Sequence, residues 1–179
     1  MNFIETKLPG AYIIELDKVG DERGFFSRVW CRKTMEEQGL NTNIAQINTS
    51  YNAHKGTLRG LHYQQAPYEE VKIVQCIRGS IYDVIVDIRP ESPTYKQWFG
   101  IQLDEDCGKL LYSPEGFAHG YQTVKNNSAI IYPTSEFYTP ESERGIKWDD
   151  PAIGIKWPLV PGSMSEKDLS WLPLEPEFT

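Results

Sequence analysis

The stretch SIYDVIVDI, residues 80–88, alternates in the manner of a strand, with Tyr82, Val84, Val86 and Ile88 on one side. Arg78-Gly79 closes it on one end, and the run from Pro90 to Pro93 closes it on the other. Working outward, short strand candidates stand close together at 57–63, 71–77, 97–103, 109–112, 117–123 and 128–132. Pro114 to Gly116 and Lys125 to Asn127 supply further turns. Upstream, 11–16 (AYIIEL), 25–30 (FFSRVW) and 44–50 (IAQINTS) also read as extended, and GDERG at 20–24 as a charged turn. Thr34-Met35-Glu36-Glu37 fits a capping box with Gly39 as a stop, which predicts one short helix. Many short strands with Gly/Pro turns predict an all-β fold, an antiparallel sandwich or barrel. From Pro133 on, the chain carries Trp148, Trp157 and Trp171, too many aromatics for a wet linker. It reads as an ordered C-terminal extension wrapped over the barrel.

The 179 residues suit one domain with a real core. A net charge of −7 argues against nucleic acid or an anionic membrane as the main partner. The N-terminus lacks a signal pattern, and no apolar run approaches the roughly 18 residues of a membrane span. Cys31, Cys76 and Cys107 are odd in number and form no C-x-x-C pair, which suits reduced thiols in the cytoplasm.

The chemistry centres on LRGLHYQ at 58–64. His62 is one of three histidines, and a histidine on a rigid strand can serve as a general base near neutral pH. In a regular strand it shares a face with Leu58, Gly60 and Gln64, while Arg59 points away; a bulge at Gly60 would bring Arg59 and His62 together. A satisfied core histidine is an equally good reading of the spacing alone. Lys72 shares a face with Val74 and Cys76, so it either stabilises an oxyanion or snorkels from an edge. Gln46 and Asn48 share a face of their strand. Tyr132 would stand in line with Ser128 and Ile130, as a proton donor or as an ordinary rim aromatic. Nothing local marks Asp168.

Pro114-Glu115-Gly116-Phe117-Ala118-His119 has the P-x-G-x-x-H form and resembles the second motif of cupin barrels. In metal-binding cupins the first motif supplies two more histidines. Here Gln64 takes the place of one, and His54 lies in a turn, so no metal site is expected.

GDERGFF (20–26), LRGLHYQ (58–64), VKIV (71–74), YDVIVDIRPESPT (82–94), PEGFAHG (114–120), WDDPAIGIKWP (148–158) and SEKD (165–168) together resemble the dTDP-4-dehydrorhamnose 3,5-epimerase family, in its order and over nearly the whole chain. The resemblance implies a cupin-type jelly roll over residues 1–179, a homodimer, and neither metal nor organic cofactor. It implies His62 as base, Asp168 as the carboxylate that orients it, Tyr132 as the opposing acid, and Lys72 beside the C4 oxygen. Arg23, Gln46, Asn48, Arg59, His119, Glu143 and Lys167 fall on positions that line the sugar and nucleotide site. The activity implied is epimerisation of a nucleoside-diphosphate 4-keto-6-deoxyhexose at C3 and C5.

Three departures stand out. Val19 is followed directly by Gly20 where the family often has a Phe in the turn, Ser27-Arg28 replaces a glutamate near the nucleotide, and Pro133 replaces a lysine. These leave open the choice among dTDP, CDP and GDP. A single-centre epimerase, a ketoisomerase and a non-catalytic sugar-binding cupin remain the alternatives.

Overall fold

A computed structural model describes residues 1–174. One antiparallel sheet has the order β1 (Asn2–Glu5), β2 (Tyr12–Glu15), β10 (Lys109–Ser113), β7 (Lys72–Arg78), β12 (Ser128–Thr134) and β5 (Gln46–Asn52). The other has the order β13 (Glu143–Gly145), β6 (Leu58–Gln64), β11 (Phe117–Thr123), β8 (Ser80–Asp87) and β9 (Trp98–Asp104). A separate hairpin joins β3 (Lys18–Asp21) to β4 (Gly24–Ser27). This is the antiparallel cupin-type barrel that the strand spacing and the family resemblance predict.

The alternation of β8 explains the layering. Ile81 and Ile85 turn inward to a core with Val74, Ile130, Phe117 and Leu103, drawn from both sheets. Val84 and Val86 turn outward and are covered by Ile146 and Ile153 of the C-terminal segment. The extension therefore closes the outer face of the five-stranded sheet, as the tryptophans suggest. Trp157 Nε1 donates to the Trp148 carbonyl at 2.9 Å, and Gln122 is tied to Leu159 by two hydrogen bonds. On the other side, α1 (Arg32–Glu37) brings Met35 onto Ile14, Ile73 and Leu110 of the six-stranded sheet.

Several boundaries differ from the sequence reading. The helix begins at Arg32, with Cys31 at its N-cap and no side-chain cap, so Thr34 falls inside it and no capping box forms. Gly39 does serve as the stop, at φ +70 with its N–H on the Glu36 carbonyl. The strand expected at 25–30 ends at Ser27, because its hairpin has no sheet to join: Phe25 and Phe26 are 60% and 66% exposed. β5 starts at Gln46 rather than at residue 44, and β12 runs on through Pro133, opposite Ile47, to Thr134. Strands β1, β3 and β13 and a second short helix, Glu166–Ser170, are absent from the sequence reading, which takes residues 20–24 as a turn.

Candidate active site

A cavity of about 390 Å³ opens between the two sheets. The β6 wall owes its face to one extra residue. His62 pairs with His119 of β11 and Arg59 pairs with Tyr121, so three steps on β6 match two on β11. The bulge turns Arg59 onto the same side as His62, and both line the cavity. It needs Gly60. At φ +114 a Cβ there would stand 2.7 Å from Gly120 Cα and from the His119 carbonyl. The bulge, rather than the regular strand, is what the chain adopts.

His62 Nε2 lies 2.5 Å from Asp168 Oδ1. Asp168 is brought by α2 (Glu166–Ser170), and it is buried, at 4% exposure. Ser165 caps that helix: its hydroxyl accepts from the Asp168 N–H at 3.0 Å and donates to Asp168 Oδ2 at 2.9 Å. Burial pushes the carboxyl up, but hydrogen bonds from His62, Ser165 and the Gly60 N–H outweigh it and hold it below its ordinary value. An ionised Asp168 accepts a hydrogen bond from the Nε2–H of His62, which leaves the Nδ1 lone pair free. The edge of Trp171 packs on the His62 ring, with centroids 6.4 Å apart. Trp171 in turn sits on Gly145, where a Cβ would be 2.2 Å from the indole.

The opposite wall belongs to the six-stranded sheet. Alternation along β12 points Ile130, Tyr132 and Thr134 into the cavity, and along β5 it does the same for Gln46, Asn48 and Ser50. Tyr132 pairs with Asn48 in register, so Pro133 leaves its strand geometry intact. Burial raises the Tyr132 phenol, helped by Tyr121 and Glu70 and opposed by Arg59, so it keeps its proton at neutral pH. Lys72, at the start of β7, also lines the cavity, with its ammonium 3.1 Å from Glu70.

The remaining predicted residues divide. His119 lines the cavity, and its Nε2 is 2.8 Å from the buried Asp83. Arg59 Nε donates to Asn52 at 2.8 Å; Asn52 donates to the Tyr121 hydroxyl, which donates to Ser50. Glu143 lines the rim and accepts from Tyr138 at 2.5 Å and from Lys167. Burial pushes Glu143 up, yet those two partners bring it below its ordinary value. Lys167 is thus tied to the rim without lining it. Arg23 is not brought to the cavity. It sits at the tip of the β3–β4 hairpin, 84% exposed, held by Asp21 two residues away.

Sequence reasoning missed Glu70, Tyr121 and Tyr138. Alternation would have found Glu70, two residues from Lys72. Gln64 works as a brace: it donates to the Tyr68 and Phe137 carbonyls and accepts from the Thr139 N–H. Among the described residues, no group of three or more His, Cys, Asp or Glu side chains is placed to hold a metal ion.

A family model described as dTDP-4-dehydrorhamnose 3,5-epimerase matches residues 5–176. The Shigella flexneri protein of that description is 43% identical over 171 residues, covering 95% of this chain and 94% of that one. A crystal structure of the Bacillus anthracis enzyme, with TDP and PPi bound, superposes with a TM-score of 0.94 at 39% identity, covering 97% of this chain and 99% of that one. The Legionella pneumophila enzyme, in complex with dTDP-4-keto-L-rhamnose, gives 0.91 at 38% identity, covering 96% and 92%. With the fold, the cavity and near full-length likeness in agreement, the chain belongs to the dTDP-4-dehydrorhamnose 3,5-epimerase family.

Proposed function

We propose that this chain epimerises a dTDP-linked 4-keto-6-deoxyhexose at C3 and C5, with His62 as base and Tyr132 as acid. The observation that carries this reading is that the two stand on opposite sheets around one cavity: His62 on β6, backed by Asp168, and Tyr132 on β12. Hydrogens at C3 and C5 are acidic because both carbons flank the C4 carbonyl. His62 Nδ1 removes one, and Asp168 stabilises the imidazolium that forms. The Lys72 ammonium meets the charge that develops on O4. Tyr132 then returns a proton from the other face, which inverts the centre; exchange with solvent resets both groups. The sugar repeats the step at its second carbon after a small shift or ring flip.

Arg59 suits a diphosphate, and Gln46, Asn48, His119, Glu143 and Lys167 supply the remaining polar contacts. Thymidine is favoured over cytidine or guanosine because the similar proteins above carry TDP or a dTDP sugar. The proton transfers call for no redox cofactor. Residues 1–179 act as one epimerase domain. Three free cysteines suit the cytoplasm. Val19, Phe25 and Phe26 leave an apolar ridge near the N-terminus that a second copy would cover, giving a homodimer. Incubation with dTDP-, CDP- and GDP-linked 4-keto-6-deoxy sugars in D2O, followed by NMR, tests the reading. Deuterium is expected at C3 and C5 of the dTDP sugar. Its absence from every sugar overturns the activity, and labelling of one carbon alone makes the enzyme a single-centre epimerase. Light scattering is expected to give twice 20.5 kDa; a monomer overturns the dimer.

A further inference from the structure

One cavity carboxylate has no part in the chemistry above. The Glu70 side chain is 12% exposed and lines the cavity, with its carboxylate 3.1 Å from the ammonium of Lys72, itself 11% exposed. The residue between them explains why both face inward. The Val71 N–H donates to Ser135 Oγ at 2.8 Å, and the Val71 carbonyl accepts from the Ser135 N–H at 3.1 Å. So clamped, Val71 packs outward with Ile14, Met35 and Ile73. In extended chain its two neighbours must point the other way, into the cavity.

A carboxylate this far from water is costly unless paired, and Lys72 is its partner. An ammonium carries three donors. Drawn towards Glu70 by the ion pair, the ammonium is restricted in position and keeps donors for an incoming oxygen. We propose that Glu70 is a positioning residue, which aims Lys72 at the substrate's C4 oxygen and sets a negative charge in the cavity that the Tyr132 phenol also lines. The second part agrees with the raised phenol, to which Glu70 contributes after burial and Tyr121. The same charge opposes an enolate forming nearby, so aim and charge act in opposite directions on the rate. Two substitutions separate them. Glu70→Gln keeps an oxygen that can accept from Lys72 and removes the charge. Glu70→Ala removes both.

The inference rests on the proposed activity, so its test has a readout that needs no substrate. In 13C-tyrosine-labelled protein, with Tyr132→Phe used to assign the signal, the Tyr132 phenol is titrated by NMR. Its midpoint is expected to fall in Glu70→Gln and in Glu70→Ala. In D2O exchange assays, Glu70→Ala is expected to lower kcat by about 10²-fold, the effect of a misaimed group. KM should stay within about threefold, because substrate binding rests on other contacts. Glu70→Gln is expected to recover most of that loss, with the alkaline limb of its rate profile moved to lower pH. A staple that only holds the fold would change melting and leave both readouts alone. Wild-type kcat in Glu70→Ala overturns the proposal, and so does an unmoved Tyr132 midpoint in Glu70→Gln. If Glu70→Ala does not fold, Glu70→Gln decides through its pH profile and the midpoint. If the wild type exchanges no 4-keto sugar, the activity is what fails, and the Tyr132 midpoint alone decides whether Glu70 acts on the phenol.

Discussion

Two histidines face the cavity, each held by an aspartate, and the aspartates come from different regions. Asp83 lies on β8, the strand paired with the β11 that carries His119, so forming the barrel wall forms that pair. Asp168 lies 106 residues beyond His62, on a five-residue helix of the C-terminal segment. The wall pair is 9% and 0% exposed, whereas the His62 ring is 30% exposed. The wall supplies a rigid lining, and the docked segment orients the proposed base, His62. A cavity can therefore be present, with its strands in register, while His62 is not yet held by Asp168.

The comparison can be broken most sharply at the two dyads. His62→Asn is expected to lower kcat by ~10³-fold or more, the upper part of what a general base contributes. Asp168→Asn should cost ~10²-fold or more, since the amide no longer selects the tautomer with a bare Nδ1. Asp83→Asn should cost kcat far less and instead weaken substrate binding and lower the melting temperature. Equal kcat losses in Asp83→Asn and Asp168→Asn would erase the distinction. Next in size is Tyr132→Phe, expected to reduce net inversion by ~10²-fold while sparing more of the exchange at the first carbon. Equal losses of inversion and exchange would remove Tyr132 as the opposing acid.

The same division governs how much was legible in the sequence. Strand alternation is local, so β6 to β12 and the cavity faces of Gln46, Asn48 and Lys72 could be read from the chain. Even the bulge had a signal, since Gly60 interrupts the pattern between Arg59 and His62. Asp168 had none, because the contact that matters is made across the tertiary fold, and only family resemblance pointed to it. The capping box failed for a related reason: α1 is placed by Met35 packing on the sheet, and its start shifted to suit. Arg23 illustrates the limit of position matching. Its motif is intact, yet its hairpin stands clear of the cavity of its own chain.

The wall has a second buried aspartate, and acid should find it. Burial pushes Asp87 up, but hydrogen bonds from Arg89, Ser92 and Thr94 outweigh that and hold it at about 2, against an ordinary 3.8. A depressed folded value means stabilisation that is complete above the unfolded pKa and is lost as pH falls from there through the folded one. The gap corresponds to ~2 kcal/mol, lost between roughly pH 4 and pH 2. Melting followed across that window should show Asp87→Asn less stable at neutral pH and flatter in acid than the wild type. Parallel curves would mean the network does not stabilise the wall.

The smallest change acts on docking alone. Trp171 caps the end of α2, three residues after Asp168, and lies flat on the one backbone position of β13 that lacks a side chain. Gly145→Ala puts a methyl 2.2 Å from the indole, so the ring must move, and α2 with it. Overpacking of this kind costs about 1–3 kcal/mol when absorbed by a core. Here the strain falls on the segment, and the wall keeps its register and its His119–Asp83 pair. The expected outcome is a kcat lower by roughly tenfold, since a small displacement of the carboxylate misorients His62. KM and the main melting transition should change little. Adding Trp171→Leu to Gly145→Ala makes room again and should restore part of the activity, although the ring's own contact with His62 is gone. If Gly145→Ala lowers melting sharply and leaves kcat intact, Trp171 belongs with the structural core, and the base does not depend on docking in the way the two dyads suggest.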